Sequence, residues 1–223
     1  MSLTHAQSLA EHIADHIEQR ILNGDMVSGE RIQEIKVVNA LEVSRGSVRE
    51  ALLLLESRHL VTILPRRGAF VAELNAERVH SLYDLFEHLL VMLTTQLAQR
   101  WQDNQLEPLL ATAQSLAQHE QTDDYESFMA QGFVLMRDAM ALVGNDYLSH
   151  VLSDLQPAIR RTYALAMRHS QNERQHAQQF FAQLLQAVMQ RDVAAMAPIV
   201  HNYGQHQRDK VLEALAQGHE AAR

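Results

Sequence analysis

Two pairs of arginines carry the clearest chemical signal in this chain. Arg45 and Arg49 are four residues apart, so a helix would carry both on one face. Arg66 and Arg67 are adjacent, between two short apolar runs. A guanidinium presents a planar fork of donors that matches either the O6/N7 edge of guanine or a phosphate. Around the first pair, Ser44, Gly46 and Ser47 are small enough to let a backbone approach phosphate groups, and Lys36 lies a short way upstream. On charge alone, Arg49 and Glu50 read better as solvated helix charges and Arg66-Arg67 as a soluble turn. The elements around them decide between these readings.

Histidine is the other chemically capable residue, with thirteen copies and no cysteine. Disulfides and thiolate metal sites are therefore excluded. The histidines are scattered, and surface helix positions account for most of them. His12 and His16 share a helical face, as do Asp84 and His88, but two ligands do not make a site. There is no H-E-x-x-H, nucleophile elbow or phosphate loop, so an enzyme with a helical active site lacks its convergent groups. No catalytic residue, metal ligand or cofactor is expected on these grounds.

The net charge of −8 speaks against a nucleic-acid partner until its distribution is considered. From Glu73 to Arg223 there are eleven basic against eighteen acidic residues, whereas basic residues predominate between Arg31 and Ala72. Phosphates respond to local potential, so the acidic total does not exclude DNA. No apolar run approaches the roughly 20 residues that span a bilayer. No signal-peptide pattern opens the sequence, and a cytoplasmic protein without membrane contact is expected.

The positioning elements follow from periodicity. Leu9, Ile13, Ile17 and Ile21 form one stripe, predicting a helix over Ala6–Leu22 that Gly24 helps to stop. A short helix follows over Ile32–Leu41. A third buries Val48, Leu52 and Leu55, with either Ser44 as its cap or Ser47 and Glu50 as a capping box. Leu60–Leu64 and Gly68–Ala72 are β-prone runs joined by Pro65-Arg66-Arg67. Three helices and a two-stranded hairpin describe a winged helix-turn-helix, with a recognition helix whose N-terminal end carries Arg45 and Arg49 and a wing tipped by two arginines. After Glu73 everything reads as helix, with segments near Asn75–Leu97, Leu106–Gln118, Tyr125–Val143, Tyr147–Met167, Glu173–Gln190 and Val193–Ala216. Pro157 predicts a kink, and Pro198 suits a first turn. The expected domains are residues 1–73 for DNA and 74–223 for effector binding and dimerisation.

The stretches Ile21-Leu22-Asn23-Gly24, Ser28-Gly29-Glu30-Arg31-Ile32, Val43-Ser44-Arg45-Gly46-Ser47-Val48-Arg49-Glu50-Ala51-Leu52 and Pro65-Arg66-Arg67-Gly68-Ala69-Phe70-Val71 resemble the GntR family of bacterial regulators. Ser28 stands where that family usually has proline. The helical remainder resembles the FadR-type (FCD) ligand-binding domain, its best marker being Val143-Gly144-Asn145-Asp146-Tyr147-Leu148. The fold class implied is mostly α, a winged helix-turn-helix followed by an all-α bundle. The function implied is a sequence-specific transcriptional regulator, with repression as the expected mode, acting as a homodimer on double-stranded operator DNA. The resemblance places operator contacts at Ser44, Arg45, Gly46 and Arg49, with the wing at Arg67-Gly68 and Lys36 on phosphate.

Many FCD domains hold a divalent ion through an Asp-x-x-x-His pair and one histidine on each of two later helices. Those positions fall here on Gly132, Met136, Phe181 and Tyr203, none of them a good ligand. Two cavity positions usually held by arginine and glutamate fall on Phe86 and Leu90. Asp138, His201 and His206 are stand-ins if the alignment slips by a turn. The reading that follows is an apolar cavity that either binds a hydrophobic or acyl-type effector or is filled by its own side chains. Tyr203-Gly204 matches an element of the fatty-acid-responsive branch, and Arg160 and Arg161 are candidates for holding a carboxylate or phosphate. Alternatives are a metal- or carboxylate-responsive regulator of the same fold, or a helical protein-interaction module without operator specificity.

Overall fold

The computed structural model describes residues 8–102, 105–118, 125–167 and 173–221. The start of the first predicted helix at Ala6, the break at Asn104 and the Ser170–Asn172 break lie outside them. Contacts divide the chain into two compact units. One holds Met1–Asn75 together with Pro157–Ala164, the other Ala76–Gln156 and Leu165–Arg223.

In the first unit, α1 (Leu9–Leu22) opens on a complete capping box. The Ser8 hydroxyl accepts from the Glu11 backbone N–H, and the Glu11 carboxylate accepts from that of Ser8. These bonds to Ser8 hold the Glu11 carboxyl below the usual carboxylate range. Next come β1 (Arg31–Ile32), α2 (Glu34–Leu41), α3 (Arg45–Ser57), β2 (Val61–Leu64) and β3 (Gly68–Val71). The core is one cluster of fully buried aliphatics, with Ile13 and Ile17 of α1 against Val48, Leu52 and Leu55 of α3. From Ile13 onward the period-four apolar stripe of α1 is buried, as is that of α3, whereas Leu9 at its start is exposed.

The sheet has three antiparallel strands in the order β1-β3-β2, against the two expected. Only two residues of β1 pair, Arg31 opposite Phe70 and Ile32 opposite Ala69, which is too short a run to show alternation in sequence. Hydrophobic burial of Ile32, read as the start of α2, instead belongs to this strand; α2 begins at Glu34.

In the second unit, α4 (Ala76–Arg100) packs on α6 (Tyr125–Val143), α8 (Glu173–Met189) and α9 (Val193–Ala221), and α5 (Glu107–Gln118) packs on α6. The Trp101 indole donates to the Val188 carbonyl at 3.0 Å, and the Arg191 guanidinium stacks 4.1 Å from the Trp101 ring centroid. This cation–π contact fastens the end of α4 to the α8–α9 turn. The remaining helix, α7 (Asp146–Met167), runs unbroken through Pro157. Pro198 lies five residues beyond the first residue of α9, in the second helical turn instead of the first. Among the described residues, no helix is long and apolar enough to cross a membrane.

Candidate nucleic-acid interface and the helical bundle behind it

The turn between α2 and α3 is built around Glu42, which adopts a left-handed conformation at φ 54 and ends α2. Ser44 then caps α3: its hydroxyl accepts from the Ser47 backbone N–H at 3.1 Å and pairs with the Ser47 hydroxyl at 2.9 Å. Ser47 is therefore inside the first turn, and Ser44 is the N-cap in place of a Ser47/Glu50 box. Capping here fixes the entry angle of the recognition helix, which sets where Arg45 and Gly46 project. Both are exposed, as is Lys36 on α2.

Arg49 is less available than its position suggested. Its Nε donates to Glu34 Oε2 at 3.2 Å, bracing α3 against α2. The side chain is still largely exposed at 69 %, so the guanidinium faces solvent while anchored at one nitrogen. Its neighbour Arg45 leads the helix and sits one turn nearer the dipole's positive end, where anions are favoured.

The wing is a tight reversal. The Arg67 N–H donates to the Leu64 carbonyl at 3.1 Å, closing a turn with Pro65 second and Arg66 third. Arg66 sits at φ +62, the left-handed value a type II turn demands at that position and one that side chains other than glycine seldom take. The turn leaves Arg66 exposed at the tip of the loop. Gly68 follows at φ +96, and the Arg67 guanidinium lies 5.7 Å from the Phe70 ring centroid. A Cβ on Gly68 would sit 3.6 Å from the Arg31 guanidinium. Arg31 thus joins Arg66 and Arg67 as a third wing cation. Sequence reasoning missed it because the strand that carries it was not foreseen.

In the helical unit, the positions where a metal would be expected hold packed side chains. The Phe181 ring lies so close to Gly132 that a Cβ there would meet it at 2.6 Å. Phe181 also packs edge-on against Phe128, with ring centroids 6.2 Å apart. Tyr203 stacks on Phe180 at 4.2 Å, the planes 11° apart. Phe86 and Met136 are buried, and Leu90 is half-buried. Gly132, Met136, Phe181 and Tyr203 therefore do not fit a divalent ion.

Arg160 and Arg161 both belong to the first unit. Arg160 lies 3.6 Å from Glu18, and Arg161 donates to the Ala72 carbonyl at 2.6 Å. Arg58 completes this group, reaching Asp15 at 2.9 Å and Glu18 at 3.2 Å. Burial pushes the Glu18 carboxyl above the usual range despite the opposing pull of Arg58 and Arg160.

Two polar networks in the bundle were not foreseen as sets. In the first, buried Glu87 of α4 meets His201 at 2.9 Å and Arg208 at 2.8 Å from α9, and Arg208 also reaches Asp84 at 2.8 Å. Gly204 makes room for it, since a Cβ there would lie 2.5 Å from the Glu87 carboxyl carbon. Burial opposes the Arg208 charge, but Glu87 and Asp84 outweigh it and raise its pKa. The Tyr203-Gly204 element thus serves an ion pair and an aromatic stack. In the second network, Glu173 and His176 of α8 meet His206 of α9. Asp138 belongs to neither: it accepts from the Thr112 hydroxyl at 3.0 Å on α5. The stand-ins Asp138, His201 and His206 are therefore not brought together.

A capped recognition helix with a basic wing, carried in a chain whose remainder is a helical bundle, defines a DNA-binding regulator of transcription. The chain belongs to the GntR family, FadR-type: residues 9–71 match the gntR family of bacterial regulatory proteins and residues 81–206 match the FCD domain. It is 25 % identical over 215 residues to the gluconate operon transcriptional repressor of Bacillus subtilis (strain 168), covering 92 % of this chain and 85 % of that protein. Over 115 residues it is 32 % identical to the uncharacterized HTH-type transcriptional regulator YdhC of the same organism, covering 50 % and 51 %. The fold is shared with E. coli McbR/YncC, at TM-score 0.77 and 17 % identity over 93 % of this chain and 99 % of that one. Regulators of this family bind operator DNA, and FCD domains bind small-molecule effectors.

Proposed function

We propose that this chain acts as a homodimer on an inverted-repeat operator, reading bases through Arg45 and holding the backbone through its wing. The carrying observation is the first turn of α3, where the Ser44 cap presents Arg45 and Gly46 exposed at the positive end of the helix. Residues 1–73 bind DNA, and residues 74–223 dimerise and sense an effector. Two-fold symmetry of the dimer sets the spacing of the operator half-sites. Ser47, Arg49 and Lys36 serve phosphates in this scheme, with Arg49 held by Glu34. Arg66, Arg67 and Gly68 form the wing contact. Repression in the cytoplasm, without enzymatic activity, is the mode this scheme assigns, and kinship to a gluconate operon repressor supports it.

For the effector, the aromatic filling around Gly132 and Phe181 supports a bundle interior occupied by its own side chains. A hydrophobic or acyl-type effector is the second reading, favoured by the apolar character of Phe86, Met136 and Phe181. Calorimetric titration with fatty acids and acyl-CoA separates the two, and absence of heat removes the lipid version. The DNA reading is tested by gel-shift titration against the promoter region upstream of its own gene. Sequence-preferring binding that Arg45→Ala abolishes supports it; binding without sequence preference, unchanged by that substitution, brings the protein-interaction alternative forward.

A further inference from the structure

The second polar network of the bundle has the donor set of a metal centre, at a place where the family resemblance does not put one. Glu173 and His176 are three residues apart on α8, so they lie on one helical face. His206 projects toward them from α9, and a ligand atom of each lies within 4.8 Å of the other two. The His206 Nε2 is 2.9 Å from Glu173 Oε2, and the His176 and His206 rings are 4.2 Å apart between centroids. A carboxylate and a histidine three apart on one helix, with further ligands from facing helices, is a recurring way for helical bundles to hold metals.

The surroundings fit that use. Glu173 is only 1 % exposed, and a buried carboxylate needs a cation or several donors. The Gln207 amide donates to Glu173 Oε2 at 2.9 Å, which orients the carboxylate as outer-shell partners of metal ligands do. That bond fixes which end of the amide is oxygen. Gln207 Oε1 is fully buried and accepts no hydrogen bond among the described residues. A buried acceptor without a donor calls for an explanation, and a water bound to a metal beside Glu173 supplies the proton it lacks. His176 is exposed, so the site opens to solvent and leaves coordination positions to water.

We infer that Glu173, His176 and His206 form a binding site for a divalent transition-metal ion of the zinc class. Two imidazoles and one carboxylate suit zinc, cobalt or nickel and are poor for calcium or magnesium. The site is displaced from the positions the resemblance assigns. On α8 it lies five residues before Phe181, about 7.5 Å along the axis, and on α9 three residues after Tyr203. Consecutive helices joined by a short turn run antiparallel. The two displacements therefore point the same way, toward the start of α8. Phe181 and Tyr203 fill the expected position, and the ligands stand at the end of the bundle beyond it.

The test is zinc(II) and cobalt(II) binding to the untagged, chelator-stripped full chain, which has no thiols to compete. The ion is added in slight excess, the protein is desalted, and retained metal is measured. A visible cobalt spectrum reports the coordination. Wild type should retain one ion per chain and rise in melting temperature with zinc. His176→Ala removes an exposed ligand without touching the core; it should weaken zinc binding on the order of tenfold or more and abolish the thermal shift. Glu173→Gln should do the same, provided its far-UV spectrum is unchanged. No retained metal in wild type, or equal retention in wild type and His176→Ala, overturns the site. DNA binding by stripped protein is a separate readout that either result leaves standing.

Discussion

The start of α3 and the wing use glycine and arginine differently from the interior of the helical bundle. At the start of α3, a Cβ on Gly46 would meet only the Ser44 hydroxyl oxygen, at 3.6 Å, so packing does not require a glycine there. In the bundle, Gly132 and Gly204 are pressed against Phe181 and Glu87, so packing alone accounts for both. Likewise, Arg45, Arg66 and Arg67 are turned to solvent, whereas Arg208 is engaged by Glu87 and Asp84. A small or charged residue that its own fold does not need is available for a partner. One that the core has closed around is not.

The sharpest way to break this contrast is Gly204→Val. With Glu87 tied to His201 and Arg208, its carboxylate has little room to swing, and overpacking of this kind costs about 1–3 kcal/mol. Chemical denaturation should show that loss; an unchanged midpoint would mean the α4–α9 contact is looser than described. Ser44→Ala comes next. Losing the cap should lower stability by about 1 kcal/mol and weaken operator binding as well, because the first turn of α3 loses its anchor.

Gly46→Ala is the mirror image of the bundle substitution. Stability should hold or rise by up to about 1 kcal/mol, since alanine favours helix, while operator affinity falls as the added methyl meets the DNA. Parallel melting and anisotropy curves check both halves, and an unchanged affinity would remove Gly46 from the interface. Smallest is the pH effect at Glu18. Its carboxyl titrates above the ordinary glutamate range in the folded chain, so the protonated form is the one the fold favours. That contribution is complete below the unfolded value and is lost as pH rises through the folded one. The stability of wild type relative to Glu18→Gln should therefore fall between acidic and neutral pH, as followed by denaturation across that interval.

The same contrast explains what could be read in advance. The candidate interface of the first unit has a local geometry that sequence can show because its parts are near neighbours: Ser44 caps Ser47, and Leu64 closes on Arg67. Such links are short-range rules of caps and turns. The networks of the bundle join residues far apart in the chain, as Glu87 does with His201 and Glu173 with His206. Helical periodicity identified those helices but not the register in which α4, α8 and α9 meet. Glu87 escapes a sequence reading because the resemblance points to Phe86 and Leu90 as the cavity positions of α4. The pairing of Arg160 with Glu18 and of Arg161 with Ala72 is hidden by the same kind of gap, since these partners lie far apart in sequence. Arg31 was missed for a different reason, as a two-residue strand leaves no pattern to read.

The central claim is a division of labour in which Arg45 reads bases and the wing holds the backbone. Its most direct test is fluorescence anisotropy with operator and scrambled duplexes, at two salt concentrations, for wild type, Arg45→Ala and Arg67→Ala. Arg45→Ala should lose about 1–3 kcal/mol of preference for operator over scrambled DNA. Arg67→Ala should weaken both duplexes alike and reduce the salt slope by about 1. Equal losses on both duplexes for Arg45→Ala, with preference intact, would contradict the account.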